Sequence, residues 1–287
     1  MTEIYDYIIV GSGSAGSALA YRLGESGKHR ILVLEYGGSD AGPLIQMPAA
    51  LSYPMNMKRY DWEYLAEPEA SLDGRRLVCP RGKVLGGSSS INGMIYVRGN
   101  AGDYDHWQET GADGWSYADV LPYFRRMEHA HGGAAGWRGS AGPLHVTRGP
   151  RDNPLHDAFV TAATEAGYAA VDDYNGYRQE GFGAADMTVW QGRRWSAANA
   201  YLRPALRRGN VKLVSGALVE KILIDGKTAT GVAYWKAGKR HEVTARVETV
   251  LAAGAINSPQ IMQRSGVGPE AVLQAAGVDV ILDRAGV

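Results

Sequence analysis

The sequence predicts an α/β fold organised around its N-terminal segment, residues 5–35. A short apolar run at residues 7–10 is followed by closely spaced glycines, an amphipathic segment and a second apolar run at residues 31–34. This order indicates a strand, a tight turn, a helix and a second strand. Near the other end of the sequence, an apolar strand leads through Gly254 into a helical segment, which would suit a return to the same sheet.

The glycines of the first turn indicate a dinucleotide site. Gly11 permits the tight turn, Gly13 lets the backbone approach a pyrophosphate without a Cβ, and Gly16 lets helix and strand pack closely. Phosphates would meet the unpaired N–H groups and the positive dipole end of the helix. Glu35 ends the second strand, where its carboxylate can accept hydrogen bonds from ribose hydroxyls. A turn of small residues formed for packing alone is the alternative.

Composition limits the classes of partner. The chain has 287 residues, of which 45% are hydrophobic, enough for one large or two smaller domains. Its formal net charge is zero, so we expect a small-molecule ligand and no nucleic-acid partner. The single cysteine, Cys79, fits a reducing compartment. Without a signal-peptide pattern or an apolar run of spanning length, we expect a cytoplasmic protein whose membrane association, if any, is peripheral at the inner face.

The segment after Glu35 carries two further features. Residues 36–60 are rich in Gly, Pro and Met, and an irregular connection of this length predicts a cover or lid. Trp62 and Tyr64 would share one face of an extended segment, which favours a packing role, with cation binding by Trp62 as the alternative. The small residues at 86–93 indicate either a backbone that approaches a flat ligand or a capped Ser/Gly loop.

The remaining periodicity predicts short helices and then a series of strands. Helices are expected at residues 103–108, 116–127 (with Ser116 as N-cap and Asp119 reinforcing it), 153–167 and 196–207, the last ended or kinked by Pro204. A flexible boundary is expected at residues 130–142. Strands are expected at residues 211–214, 218–224, 230–234, 242–247 and 249–253, followed by a helix entered through Ser258 and Pro259.

The seven histidines show no metal-ligand or catalytic-triad spacing that would identify a site. His129 and His131 precede glycines in a predicted loop, so no metal site is predicted there. A G-x-S-x-G elbow is also missing from the sequence, which gives no support to a hydrolase.

Two longer motifs resemble the signatures of the glucose-methanol-choline (GMC) family of flavin-dependent oxidoreductases. Residues 82–105 read GKVLGGSSSINGMIYVRGNAGDYD and residues 254–268 read GAINSPQIMQRSGVG. Together with the opening unit, three separated motifs occur in the order and spacing of the family, and the likeness covers the whole chain. The segments MPAALSYPMNMKRYDWEYLAEPE, NGYRQEGFG and GRRWSAANAYLRPA resemble the bacterial choline-oxidising branch.

The resemblance implies a Rossmann-like FAD-binding domain with a mixed sheet, plus the beginning of a smaller substrate-binding domain. The FAD-binding domain would be discontinuous, at residues 1–142 and 191–287, and residues 143–190 would form part of the substrate domain. Members of the family are roughly twice as long as this chain, so the resemblance also implies that their C-terminal half is absent here.

FAD is the cofactor that the resemblance implies, rather than NAD. Some family oxidases attach the flavin through a histidine whose place Ile91 takes here, so noncovalent binding is expected. The residues expected around the ADP half are Gly11, Ser12, Gly13, Gly16 and Glu35. Those expected around the pyrophosphate and isoalloxazine are Arg81, Gly86, Gly87, Ser88, Asn92, Gly93 and Met94. Val219 would meet the adenine, and Ala253 and Gly254 would close over the nucleotide.

The implied activity is oxidation of the CH–OH group of a primary alcohol by hydride transfer to FAD, with choline converted to betaine aldehyde. Trp62 would form one wall of the site for the choline cation. The family's general base, a histidine, would lie beyond Val287, so the isolated chain is expected to be inactive. The alternatives are an FAD-binding fragment without turnover and a dehydrogenase for another primary alcohol. A quinone or another carrier is expected as electron acceptor rather than oxygen.

Overall fold

The structure is a computed structural model that describes residues 3–150 and 152–287. The described residues divide into two compact units. The first unit contains the residues up to Asn92 together with Ser196–Val287, and the second contains Gly93–Trp195. Among the described residues, no helix has both the length and the apolar character needed to cross a bilayer.

Most elements are short. The strands, in chain order, are β1 (Glu3–Val10), β2 (Ile31–Glu35), β3 (Tyr64–Leu65), β4 (Val78–Cys79), β5 (Glu128–Ala130), β6 (Leu144–Arg148), β7 (Asp186–Met187), β8 (Val189–Trp190), β9 (Arg193–Arg194), β10 (Val211–Ser215), β11 (Leu218–Asp225), β12 (Thr228–Lys236), β13 (Lys239–Leu251), β14 (Val267–Gly268) and β15 (Leu282–Asp283). The α-helices are α1 (Ser14–Leu23), α2 (Pro43–Gln46), α3 (Ala101–Glu109), α4 (Tyr117–Met127), α5 (Pro154–Glu165), α6 (Arg203–Leu206), α7 (Gly254–Arg264) and α8 (Glu270–Ala275).

A six-stranded mixed sheet forms the centre of the first unit, in the order β10-β2-β1-β13-β12-β11. The four strands β10, β2, β1 and β13 run parallel, whereas β12 and β11 continue the sheet antiparallel. Ile8 of β1 lies opposite Leu32 on one side and Thr249 on the other. The predicted α/β fold with a mixed sheet is therefore confirmed.

The apolar runs of β1 and β2 are buried because both faces of the sheet are covered. Successive side chains of a strand point to opposite faces. Accordingly, Ile8 and Leu32 pack in a cluster with Ile261 of α7, whereas Ile9 and Val33 belong to a second cluster with residues of α1 and α6. Continuous hydrophobic strands of this kind are typical of a parallel sheet buried on both faces.

The predicted helix after residue 116 is confirmed, since Ser116 is the N-cap of α4 and its Oγ accepts a hydrogen bond from the Asp119 N–H at 3.3 Å. The predicted helix at 196–207 is a π-helical turn, Ala198–Leu202, that continues as α6. The predicted connection at 36–60 contains three short helical turns, each of which begins at a proline: Pro43–Gln46, Pro48–Ala50 and Pro54–Asn56.

Two predictions near the end of the sheet were wrong. The strands expected at 242–247 and 249–253 form one continuous strand, β13, because β1 pairs with it along one side and β12 pairs with its N-terminal part on the other. The helix that follows begins at Gly254 rather than at Ser258, and Pro259 lies inside it. Gly254 has a φ of +89°, so the chain makes the turn at this glycine and needs no further turn residues.

The second unit contains a small sheet in the order β5-β6-β7. Because β5 pairs with β6, the segment before residue 143 packs with the segment after it. The compact unit spans Gly93–Trp195, whereas the sequence placed residues 93–142 and 191–195 with the first domain. The assignment of the two units to FAD and substrate binding stays a prediction.

Buried charges connect the segments of the second unit. Arg98 Nη2 lies 2.6 Å from Glu128 Oε1, and Arg138 Nε lies 2.9 Å from the same oxygen. Arg138 Nη1 also donates to Asp173 Oδ1 at 2.8 Å and to Asp186 Oδ2 at 2.7 Å. Arg138 and its three acidic partners each expose less than a tenth of their side chains, so every member of this network depends on the others for its charge balance.

Candidate functional site

A cavity of about 710 Å³ opens in the first unit where the parallel strands end. Val10 of β1, Glu35 of β2 and Leu251 of β13 each lie at or next to the carboxyl end of a strand, and all three line the cavity. In open α/β sheets the carboxyl ends of the strands are where ligands bind. The topology therefore identifies this cavity as the candidate site.

Two helices begin at the cavity. The N-cap of α1 is Gly13 and that of α7 is Ala253, and no described side chain caps either helix. Ser14 and Ala255, from the first turns of the two helices, line the cavity. The free N–H groups of a first helical turn and the positive end of the helix dipole favour an anion. Both helices thus contribute to a site suited to a phosphate group.

The glycines of the first turn have different surroundings. A Cβ on Gly16 would lie 1.9 Å from the carbonyl oxygen of Gly11, so this position requires glycine for packing. A Cβ on Gly13 would meet nothing nearer than Gly87 Cα at 3.9 Å. Gly13 and Gly87 both line the cavity. Gly13 is therefore the position where the missing side chain leaves room for a ligand rather than for the protein.

Glu35 connects the end of β2 to the glycine turn. Its Oε2 accepts hydrogen bonds from Ser12 N at 2.8 Å and Ser12 Oγ at 2.9 Å, and its Oε1 accepts one from Gly37 N at 2.7 Å. A carboxylate offers about four acceptor positions. Three are used by the protein, so Glu35 holds the turn in place and keeps acceptor capacity for a ligand hydroxyl.

Aromatic side chains form one wall of the cavity. The Trp62 ring stacks on Tyr36 with a centroid distance of 5.1 Å and on Tyr64 with a distance of 6.1 Å. Tyr64 donates a hydrogen bond to Asn257 Oδ1, and its burial raises the pKa of the phenol. The ammonium of Lys83 lies 5.7 Å from the Trp62 ring centroid. A cationic ligand at Trp62 would have to share the ring with Lys83, and the substrate role of Trp62 stays a prediction.

The cavity brings together most of the residues predicted from the sequence. The predicted residues that line it are Gly11, Gly13, Glu35, Trp62, Arg81, Gly87, Ser88, Val219, Ala253 and Gly254. Four others lie in the first unit outside the lining: Ser12 and Gly16, both buried in the glycine turn, Gly86, which precedes the helical turn Gly87–Ser90, and Asn92. Gly93 and Met94 belong to the second unit. No histidine is among the lining residues that the structure describes.

Several lining residues were not predicted as site residues. Tyr36 directly follows Glu35, and strand alternation placed Tyr64 on the same face as Trp62 but with a packing role. Asn257, Ile261 and Arg264 lie on α7 at helical spacing, on the face that lines the cavity. Asn257 precedes the predicted start of the helix, whereas Ile261 and Arg264 lie inside the predicted helix and are identified as lining residues only by the position of the cavity.

Comparison with curated proteins gives relatives along nearly the whole chain. Proteins named oxygen-dependent choline dehydrogenase from Brucella anthropi and from Rhizobium meliloti are 60% and 58% identical to it over 282 residues. Each match covers 98% of this chain and 51% of the relative. The chain thus spans about half the length of the curated relatives that it matches.

Solved structures share the fold. Pyridoxine 4-oxidase from Mesorbium loti superimposes with a TM-score of 0.92 at 34% identity, over 97% of this chain and 55% of that one. An FAD-dependent oxidoreductase from Chaetomium thermophilum gives a TM-score of 0.92 at 33% identity, over 99% and 51%. The sequence profile described as GMC oxidoreductase matches residues 5–278. By this match and these likenesses, the chain belongs to the GMC oxidoreductase family.

Proposed function

We propose that the chain binds FAD noncovalently in the 710 Å³ cavity and serves the oxidation of the CH–OH group of a primary alcohol, with choline as the favoured substrate. The observation that carries the proposal is the meeting of Glu35, the open Gly13 and two uncapped helix N-termini in one cavity. Membership of the GMC family supports a flavin as the ligand of this site.

The donor set fits the parts of FAD. The N-termini of α1 and α7 suit the diphosphate, and Gly13 lets its oxygens approach the backbone. Arg81 also lines the cavity, and its positive charge can balance part of the diphosphate charge. Glu35 retains capacity to accept a hydrogen bond from a ribose hydroxyl. Ile91, at the position where a covalent attachment is made in some family oxidases, is buried and apolar, which supports noncovalent binding.

FAD, when bound, supplies the hydride acceptor for alcohol oxidation. The chain's own residues bind and orient the cofactor. Glu35 is assigned to this binding role rather than to proton transfer, because Ser12 and Gly37 already hold both of its oxygens. The stacked rings of Tyr36, Trp62 and Tyr64 give one side of the cavity an aromatic surface. The base that accepts the alcohol proton is not assigned to a residue of this chain.

Choline is favoured because the relatives that share 58–60% identity are named for it. Another alcohol is the second candidate, since a structure with a TM-score of 0.92 is named for pyridoxine. The names of the curated relatives favour oxygen as electron acceptor over the quinone that the sequence predicted. A small-molecule alcohol and an electron acceptor are thus the proposed partners.

FAD binding is tested by titrating the purified chain with FAD and following flavin fluorescence. We expect saturable binding that Gly13→Ala weakens by at least about tenfold, or 1.4 kcal/mol. The added methyl meets no protein atom nearer than 3.9 Å, so it occupies ligand space without disturbing the fold. Gly286→Ala, where a Cβ also meets nothing within 4 Å, is the matched control and should bind as the wild type does. Equal affinities of all three proteins would contradict the site.

The noncovalent attachment and the substrate need separate measurements. Acid precipitation should release all of the flavin into the supernatant, whereas flavin retained in the pellet would show a covalent bond. Choline is then added anaerobically to the flavin-loaded chain, in parallel with other primary alcohols. Loss of the flavin absorbance on addition of choline would support choline as the substrate. Loss only with another alcohol would identify that alcohol as the substrate instead. Bound flavin that no alcohol bleaches would favour an FAD-binding unit without turnover.

A further inference from the structure

Three histidines of the second unit lie together on one face of its small sheet. His129 of β5 and His145 of β6 are direct partners in the parallel pairing of the two strands. His131 follows His129 by two residues, so strand alternation places it on the same side. The backbone N–H of His131 donates to the Val146 carbonyl at 2.9 Å, which continues the strand pairing past the end of β5. Residues that are 14 positions apart in the sequence thereby become neighbours.

The ring nitrogens of these histidines are close enough to share one ion. His131 Nε2 lies 2.8 Å from His145 Nδ1, and one nitrogen from each of the three rings lies within 4.8 Å of the others. Metal–imidazole bonds of about 2.0–2.1 Å place two ligand nitrogens roughly 3.3 Å apart in tetrahedral geometry. Ion binding requires the His129 ring to turn out of its stack on His131 and His145, whose ring centroids lie 4.5 and 4.7 Å from its own. His131 is exposed and the other two are half-buried, so an ion can enter from solvent.

Two tryptophans hold the cluster. The Trp190 ring stacks on His131 at 4.0 Å and on His145 at 4.5 Å, nearly parallel to both. Trp195 meets His145 edge-on at 5.2 Å, and its Nε1 donates to the Pro143 carbonyl at 2.8 Å. These contacts limit the rotamers of His131 and His145, which lowers the entropy cost of holding the two rings around an ion.

We propose that His129, His131 and His145 form a binding site for one divalent transition-metal ion of the class that imidazole prefers, namely Zn²⁺, Ni²⁺ or Cu²⁺. Three imidazoles leave at least one coordination position open to water. The site belongs to the second unit, its ligands come from β5, β6 and the residue after β5, and none of them lines the cavity of the first unit.

The proposal is tested by isothermal titration of the metal-stripped chain, without a polyhistidine tag, with ZnCl₂. We expect one Zn²⁺ per chain, removable by a chelator. His131→Gln and His145→Gln should each weaken Zn²⁺ binding by at least about 10–100-fold. Loss of a hydrogen-bond partner of a metal ligand already has an effect of this size, and loss of the ligand itself should have a larger one. His156→Gln, on α5 of the same unit, is the matched control and should retain wild-type affinity.

Thermal unfolding without metal shows whether each variant is folded. His131 is exposed, so His131→Gln should unfold at the wild-type temperature even if His145→Gln does not. Electron paramagnetic resonance of the Cu²⁺ complex gives a second measurement. We expect the signal to be split by three imidazole nitrogens in the wild type and by two in His131→Gln. Unchanged Zn²⁺ affinity in folded His131→Gln, or an equal loss in His156→Gln, would overturn the site and leave a stacked cluster with a packing role only.

Discussion

At the scale of single residues, the glycines of the first turn differ in their surroundings. Gly13 faces free space in the cavity, whereas Gly16 is in contact with the backbone of Gly11. The sequence pattern predicted both functions, because the strand–turn–helix geometry determines which glycine meets the ligand and which meets the protein. Glu35 was predicted as a ligand of the ribose only, and its hydrogen bonds to Ser12 and Gly37 could not be read from spacing.

Gly16→Ala should lower the stability of the chain. Its Cβ would lie 1.9 Å from the Gly11 carbonyl oxygen, a backbone atom that cannot move away cheaply. We expect a loss of about 1–3 kcal/mol or more in the free energy of unfolding, typical of overpacking. Urea denaturation of the flavin-free chain measures it, with Gly13→Ala as the comparison that should stay near wild type. A Gly16→Ala variant as stable as Gly13→Ala would contradict the packing at this turn.

At the scale of elements, features that depend on pairing between strands distant in the sequence could not be predicted from local patterns. The N-cap of α4 and the opening strand–helix–strand unit follow from local signals, and both were predicted correctly. The continuous β13 is stabilised by β1, a partner far away in the sequence, so local periodicity divided it into two strands. The same reason hid the histidine cluster, since the pairing of β5 with β6 is what brings His145 to His129.

The buried ion network gives a prediction for the elements that it connects. Arg138→Met leaves Glu128, Asp173 and Asp186 with less compensating charge in a buried environment. Breaking a buried pair in this way costs about 3–5 kcal/mol in the free energy of unfolding. Arg240→Met removes two ion pairs at the surface and should lower the free energy of unfolding far less, because water screens exposed ion pairs. Chemical denaturation followed by tryptophan fluorescence compares them, and equal losses would argue against the network's structural role.

Acid should weaken the same network through Asp173. Burial acts to raise the pKa of this carboxyl, but the Ala134 amide and the Arg138 charge outweigh it and lower the pKa below its ordinary value. A lowered folded-state pKa gives stability that is complete above the unfolded value of about 3.9 and lost as pH falls through the folded value. The stability difference between wild type and Asp173→Asn should therefore shrink below about pH 4. Denaturation curves across this range would refute the assignment if the difference were independent of pH.

At the scale of the whole molecule, the first unit is assembled from two separated parts of the sequence. The second unit, Gly93–Trp195, is inserted between them. All residues that line the cavity belong to the first unit. The ends of the two parts are near each other, since Ala197 N donates to Ser89 Oγ at 2.9 Å.

Removal of the second unit tests whether the residues of the first unit are sufficient to bind FAD. A variant with residues 93–195 replaced by a short Gly/Ser linker should keep FAD affinity within about tenfold of the intact chain. Fluorescence titration of both proteins measures the ratio. Gly93 and Met94 were predicted to line the isoalloxazine, and a much larger loss in a folded deletion variant would show that they, or other residues of the second unit, hold the cofactor.

The position of β1 in the sheet also bears on biosynthesis. Ile8 of β1 pairs with Thr249 of β13, about 240 residues later in the sequence. At roughly 5–20 residues per second, a ribosome needs about 12–48 s to make the intervening chain. During that interval one edge of β1, whose residues 7–10 are apolar, lacks its partner, and unpaired strand edges promote aggregation. The nascent chain is thus expected to depend on chaperones until β13 emerges.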